Sequence, residues 1–297
     1  MKPRNALALK GELVEEWADL HFFRPLGFAL ARRLAPTRVS PDQVTAWCLL
    51  LGLVAGHLLY YPSARLNLLG VALFILSDVL DSADGQLARM RGSSTRFGRI
   101  MDGISDNLRF INLYAHLLAR LVHAGWGWEA LALTLAAGLS HSFQSAAVDF
   151  IRQAYLRLGV GTGSELDLPE SLTLVCGSVW RKVAGFLYRD YVRRQAWLLP
   201  RTVELVRAAG SETSEPLRAD YQRRLTPLVP RAAWIGQNMR FLLLLLTAVP
   251  GHPAAFFWIT IGPLNLILLA LVTAQEREAR AMLREVPMLE AARVRLA

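Results

Sequence analysis

Cysteine is nearly absent: the 297 residues hold two, Cys48 and Cys176, which excludes a disulfide framework and a thiolate metal cluster. No Ser–His or Cys–His pair stands at a spacing that suggests a nucleophile and its base, so nothing argues for a covalent enzyme intermediate. Internal repeats and low-complexity tracts are missing, as is the ten-residue alternation of a membrane barrel. The opening MKPRNALALKGELVEEWADL carries acids and no early apolar core, so no cleaved targeting segment is expected. Scarcest of all is polar punctuation. Hydrophobic residues make up 53% of the chain and gather in runs of roughly twenty, the length that crosses about 30 Å of hydrocarbon.

Those runs are 43–61, 66–89, 100–123, 129–156, 232–250 and 253–275. They predict an all-α integral membrane bundle of six transmembrane helices, residues 43–275, preceded by an N-terminal juxtamembrane segment (1–42) and followed by a tail (276–297). The net charge is +9. Its Lys and Arg lie beside or between apolar runs, which points to anionic headgroups and phosphate substrates and not to nucleic acid. Both termini, the 89–99 loop and the 157–231 segment hold nearly all of these bases, whereas the other connections (YPSAR, HAGWGWE, PGHPA) carry only Arg65. Positive charge favours the cytoplasm, so a multi-pass protein with both termini on that face is expected.

Apolar residues recur at helical spacing over 9–34 (Leu13, Trp17, Leu20, Phe23, Leu26, Leu30), with charges on the other faces. This predicts an amphipathic helix, lying on the membrane or packed on the bundle, that Pro25 breaks or kinks. Ser40-Pro41-Asp42-Gln43 reads as a helix start. From 157 to 230 the composition turns polar; this reads as a cytoplasmic insertion between the fourth and fifth spans, too poor in apolar residues to build its own core. Within it, SVWRKVAGFLYRDYVRRQAWLL resembles a basic surface helix and RAAGSETSEP a turn. Trp126 and Trp128 read as interfacial anchors.

Against this background DVLDSADGQLARMRGSSTRFGRIMDGISD stands out, residues 78–106. A charge at the bilayer centre costs roughly 2.5–3.5 kcal/mol on insertion scales, yet Asp81 and Asp84 are three apart and Asp102 and Asp106 four apart. On helices each spacing stacks two side chains on one face, and a short turn brings the two faces together. Four carboxylates in close quarters need a counter-charge. Oxygen-only ligands suit Mg²⁺, Mn²⁺ or Ca²⁺. Gly85 and Gly98 leave out side chains where a ligand or backbone comes close, and Arg89, with Arg91, Arg96 and Arg99, supplies guanidinium for a pyrophosphate. Proton relays, ion pathways and helix caps also place acids in spans, although none of these needs the glycines and Arg89 in register.

The pattern Asp81-x2-Asp84-Gly85-x2-Ala88-Arg89-x8-Gly98-x3-Asp102-x3-Asp106 resembles the signature of the CDP-alcohol phosphotransferases (CDP-alcohol phosphatidyltransferases). Upstream, Pro41-Asp42-Gln43-Val44-Thr45 is similar to the family's Pro-Asn-x-x-Thr element, with Asp at position 42 in place of Asn. The likeness covers about 40–156. It implies a six-helix membrane enzyme, usually a homodimer, that binds a CDP-alcohol at the cytoplasmic boundary. It further implies a site for two Mg²⁺ or Mn²⁺ ions on Asp81, Asp84 and Asp102, with Asp106 as a further ligand or the catalytic base. The nucleotide would lie along Gly85, Ala88 and Gly98, with Arg89 at the pyrophosphate and Thr45 helping.

The expected activity is transfer of the phosphatidyl group of CDP-diacylglycerol to a small polar alcohol with release of CMP, in phospholipid biosynthesis. Arginines near the site favour a phosphorylated acceptor such as glycerol phosphate or inositol phosphate, with Arg109 and Arg152 as candidate acceptor-binding residues. The alternatives are transfer from CDP-choline or CDP-ethanolamine to diacylglycerol and, in another class, a divalent-cation transporter. Asp78, one turn before Asp81, reads first as structural, with support of a metal ligand as the other reading. His141 reads as a hydrogen-bonding core histidine. Arg120, Gln144, Asp149, Gln237, Asn238 and Arg240 are open between helix packing and a polar cavity.

Overall fold

The computed structural model describes residues 13–93, 96–161, 166–171, 179–210 and 213–296; for 96–102, 171, 179–181 and 286–296 it describes the backbone alone. Among the described residues every regular element is helical. The α-helices are α1 (Arg24–Leu34), α2 (Pro41–Leu58), α3 (Ala64–Met90), α4 (Arg96–His123), α5 (Trp128–Ala154) and α6 (Val179–Leu198). They continue with α7 (Pro200–Ala209), α8 (Glu215–Leu225), α9 (Gln237–Thr247), α10 (Pro253–Ile261) and α11 (Pro263–Leu296). Two stretches among the described residues, Ala64–Met90 and Pro253–Glu285, are long and apolar enough to cross a membrane.

The chain divides into two compact units. In the first, residues 17–141 and 237–262, α2 packs along α3 and α4, and α1 lies on α3. Ser40 starts α2 with a reciprocal cap: its Oγ accepts from Gln43 N at 3.2 Å while Gln43 Oε1 accepts from Ser40 N at 2.9 Å. Two donors left over at the helix start are thereby satisfied. Pro25 does not break the N-terminal helix. Lacking an N–H for the preceding turn, it sits at the second residue of α1, and the turn before it, Asp19–Phe23, widens to a π-helix.

Glycines set how closely the helices approach. A Cβ on Gly27 would stand 2.7 Å from Ser82 Oγ, and one on Gly56 2.2 Å from Asn112 Nδ2. Arg91, at the end of α3, donates to four carbonyls of the α1–α2 connection: Val39 (2.6 Å), Leu34 (2.9 Å), Thr37 (2.9 Å) and Ala35 (3.3 Å). Its guanidinium is therefore part of the packing. Asn67 Nδ2 and Arg120 Nη1 likewise donate to Ala248 O, at 2.9 and 3.3 Å, fixing the turn after α9.

The fifth apolar run does not form one long rod. It divides into a 3₁₀ segment, Val229–Ile235, and the 11-residue α9, which at 1.5 Å per residue is about 16 Å long. The sixth run is interrupted at Gly262, because Pro263 cannot donate back to the preceding turn.

The second unit holds residues 13–16, 142–236 and 263–296. Here α7, α8 and the 3₁₀ segment pack on α11; Val203, Leu205, Leu217 and Leu225 of the insertion are buried, whereas Val183, Phe186, Leu187 and Trp197 of α6 are exposed. No side chain of its own caps α7. Glu276 of α11 accepts from Arg201 N (2.7 Å) and Thr202 N (2.9 Å) instead, which places a carboxylate at a helix N-terminus where the dipole favours it.

Candidate active site

The acid motif places Asp78, Asp81 and Asp84 on the last four turns of α3 and Asp106 near the start of α4. Asp102 lies one turn before Asp106 on the α4 backbone. Its side chain, like those of Arg96 and Arg99, falls outside the described residues, and Gly98 is described only as backbone.

At the centre of the described acids is Arg109, whose side chain has no exposed surface. Its Nη1 donates to Ser77 Oγ and to Asp78 Oδ1, both at 2.8 Å. Its Nη2 donates to Asp106 Oδ1 and lies 3.5 Å from Asp81 Oδ1. One guanidinium thus serves acids of two helices, and its planar fork suits this as no ammonium would. Access for its stem comes from α2: a Cβ on Gly52 would fall 2.4 Å from Arg109 Cδ and 2.6 Å from Cγ. Asp78 is held again by Gln237 Nε2 at 2.6 Å, and Ser77 Oγ–H donates to Cys48 O at 2.8 Å.

Asp84 is buried and belongs to a second set of contacts. Thr45 Oγ1 donates to its Oδ2 at 2.5 Å and so ties α2 to α3. Asp81 and Asp106 keep more surface, 28% and 36% of their side chains. Asp81, Gly85 and Arg89 recur every fourth residue along one face of α3. The Arg89 guanidinium lies over Gly85, where a Cβ would stand 3.4 Å from Nη1. Ala88 is half-buried one turn after Asp84.

Arg152 belongs to the second unit, where its Nη2 pairs with the buried Glu16 at 2.9 Å, and Asp149 accepts from Tyr191 Oη–H. His141 is buried with its ring edge-on to Phe110, 4.5 Å between centroids. Its place three residues after Asp106 puts Arg109 at the site in the sequence, as a candidate for the acceptor; its pairing with the acids escaped the sequence reading, although the spacing of Gly52 and Gly56 marks a close helix contact.

The sequence profile of the CDP-alcohol phosphatidyltransferases matches residues 38–184. A phosphatidylinositol phosphate synthase of Mycobacteroides abscessus is 29% identical over 172 residues, 57% of this chain and 74% of that one. A phosphatidylinositol phosphate synthase of Mycolicibacterium smegmatis is 31% identical over 169 residues, 55% of this chain and 69% of its own. The chain belongs to the CDP-alcohol phosphatidyltransferase family. The bifunctional IPC transferase and DIPP synthase of Aquifex aeolicus is 28% identical over 135 residues, 44% of this chain but only 30% of that protein.

CDP-alcohol phosphatidyltransferases are transferases and in general depend on divalent metal. Among the described residues no three His, Cys, Asp or Glu side chains gather at metal-ligand spacing. Arg109 stands amid Asp78, Asp81 and Asp106, and Asp84 is turned to Thr45. The donor chemistry nonetheless fits: Asp81, Asp84 and Asp106 offer hard carboxylate oxygens, with the motif's remaining acid on the same helix as Asp106, and no imidazole or thiolate of the motif competes for a softer ion.

Proposed function

We propose that the chain transfers the phosphatidyl group of CDP-diacylglycerol to a phosphorylated polyol of the inositol phosphate type, releasing CMP. The observation that carries this is the shared guanidinium: Asp81 of α3 and Asp106 of α4 meet at Arg109, so the acids of the motif converge from two helices on one place. The acceptor class rests on the two relatives named as phosphatidylinositol phosphate synthases.

In this reading Asp81, Asp84, Asp102 and Asp106 hold two Mg²⁺ or Mn²⁺ ions. Bound there, the ions neutralise charge on the phosphates and polarise the phosphorus–oxygen bond to CMP. The acceptor hydroxyl oxygen bonds to the phosphatidyl phosphorus, the bond to CMP breaks, and the hydroxyl proton passes to the Asp106 carboxylate. Arg109 holds Asp106 in place for that transfer. Gly85, Ala88 and Gly98 leave room for the nucleotide, Arg89 faces its pyrophosphate, and Thr45 fixes Asp84. With no acyl-enzyme or phospho-enzyme required, positioning and electrostatics supply the acceleration. The site lies at the cytoplasmic face of a multi-pass homodimer, and Arg109 is assigned to the acids and not to the acceptor.

The test incubates purified protein with CDP-diacylglycerol and Mn²⁺ and, in separate reactions, inositol phosphate, glycerol phosphate, inositol or serine, and identifies the lipid by mass. Inositol phosphate should give the product and equimolar CMP. Product from glycerol phosphate or serine alone would overturn the acceptor class. No CMP from any acceptor, nor from CDP-choline with diacylglycerol, would overturn the reaction.

A further inference from the structure

Away from the acids, two imidazoles face each other. His57 is in the last turn of α2, twelve residues or about 18 Å beyond Thr45, and His116 is on α4, ten residues or about 15 Å beyond Asp106. His57 Nδ1 lies 3.2 Å from His116 Nε2, with the rings at 83° to each other. The close approach of α2 to α4 at Gly56, where any Cβ would meet Asn112 Nδ2, brings the two rings together.

From this pair we infer a binding site for a divalent late-transition-metal ion, of the Zn²⁺ or Cu²⁺ class, with His57 Nδ1 and His116 Nε2 as its protein ligands and water in the remaining positions. The outer contacts select these nitrogens. His116 Nδ1 is 2.8 Å from Asn112 O; a carbonyl only accepts, so Nδ1 carries the proton and Nε2 of the neutral ring is bare. His57 Nε2 is 3.2 Å from Tyr61 Oη, and a phenol both donates and accepts. When Tyr61 Oη–H donates to Nε2, His57 Nδ1 carries a proton and donates to His116, the metal-free arrangement. When His57 Nε2–H donates to Tyr61 Oη, Nδ1 is bare as well, and two unprotonated nitrogens stand 3.2 Å apart. The change moves protons and not ring atoms.

The spacing agrees. Zn–N bonds of about 2.0–2.1 Å at the tetrahedral angle put two nitrogens about 3.3–3.4 Å apart, against the 3.2 Å found here. A ring nitrogen that binds metal while the other donates to a carbonyl or hydroxyl is the usual arrangement of metal-binding histidine. His57 and Tyr61 are both exposed, so an ion can enter. Imidazole donors select a softer ion than the carboxylates of the acid motif do, which makes this site separate in chemistry as well as in place.

The experiment titrates the purified, metal-stripped chain with Zn²⁺ alone and records the electron paramagnetic resonance spectrum with one equivalent of Cu²⁺. The expected result is one Zn²⁺ per chain more in wild type than in the double variant His57→Gln/His116→Gln, any ion held by the acid motif being common to both, and nitrogen hyperfine coupling on Cu²⁺. Either His57→Gln or His116→Gln should weaken Zn²⁺ binding by at least about tenfold, and Tyr61→Phe, which removes the outer contact, by about tenfold. Circular dichroism shows that each variant keeps its helices; if one does not, the wild-type Cu²⁺ spectrum decides. Binding no tighter than in the double variant His57→Gln/His116→Gln, or a Cu²⁺ spectrum without nitrogen coupling, overturns the site. Neither outcome touches the transferase reading, whose test uses different residues and a different ion.

Discussion

Arg109→Met is the most informative perturbation of the acid cluster. Methionine keeps much of the length and apolar bulk of the side chain while removing the charge and its donors. The wild-type guanidinium is fully buried, and its partner Asp78 is 11% exposed. Leaving one member of such a pair buried without its partner costs about 3–5 kcal/mol. The contact to Asp106, 36% exposed, adds little beyond that because water screens it. A loss of about 3–5 kcal/mol corresponds to a fall in the unfolding midpoint on the order of 10 °C for a chain of this size. The assay is thermal unfolding of the detergent-solubilised protein at one scan rate, with EDTA and again with Mn²⁺. Under EDTA the full loss should appear. With Mn²⁺ the gap to wild type should narrow, because the ion supplies counter-charge to the same acids. A midpoint within about 2 °C of wild type under EDTA would show that Arg109 is not their counter-charge, and the placement of the site would lose its main support.

Gly52→Ala should act through the same side chain, since its Cβ falls 2.4 Å from Arg109 Cδ; about 1–3 kcal/mol is expected in wild type and almost none in an Arg109→Ala background. A double-mutant cycle on unfolding midpoints reads that coupling, and simple additivity would refute it. Thr45→Val removes the donor 2.5 Å from Asp84 Oδ2. A hydrogen bond to a charged group contributes about 1.5–3 kcal/mol, so CMP release should slow roughly 10- to 100-fold, with Thr45→Ser close to wild type. Arg91→Ala frees four carbonyls of the α1–α2 connection; limited proteolysis should then cut within residues 35–40, and an unchanged cleavage pattern would count against the clamp. Chelation should abolish CMP release and Mn²⁺ restore it, whereas Asp106→Asn should stay inactive in Mn²⁺ with an unchanged gel-filtration profile.

Where local chemistry decides, the sequence was readable. Ser40, Pro41 and Gln43 specify the start of α2 through contacts within four residues, and the acids of α3 and α4 announce themselves by helical spacing in apolar surroundings. What escaped depends on partners far along the chain. Arg109 reaches Asp78 across 31 positions, His57 meets His116 across 59, and Glu276 caps α7 from 74 residues away. Hydropathy also says how apolar a run is, not whether its backbone stays continuous. The break at Gly262 and the shortness of α9 follow from Pro263 and Gly236, single residues inside runs that average as uniformly apolar. Pro25 is the converse case: the helical backbone runs through it, and the turn before it widens to a π-helix where the missing N–H would have donated.

Packing and electrostatics meet on one stripe of α2. Thr45, Gly52 and Gly56 are seven and four residues apart, close to whole turns of a 3.6-residue helix, so they point the same way. Thr45 reaches Asp84 on α3, while Gly52 and Gly56 admit Arg109 and Asn112 of α4. A side chain at Gly52 would therefore do more than hold two helices apart. It would displace the guanidinium on which Asp78, Asp81 and Asp106 converge, and by shifting α2 it would pull the Thr45 hydroxyl from Asp84. The glycine carries no charge and touches no acid, yet the electrostatic balance of the site depends on its having no side chain.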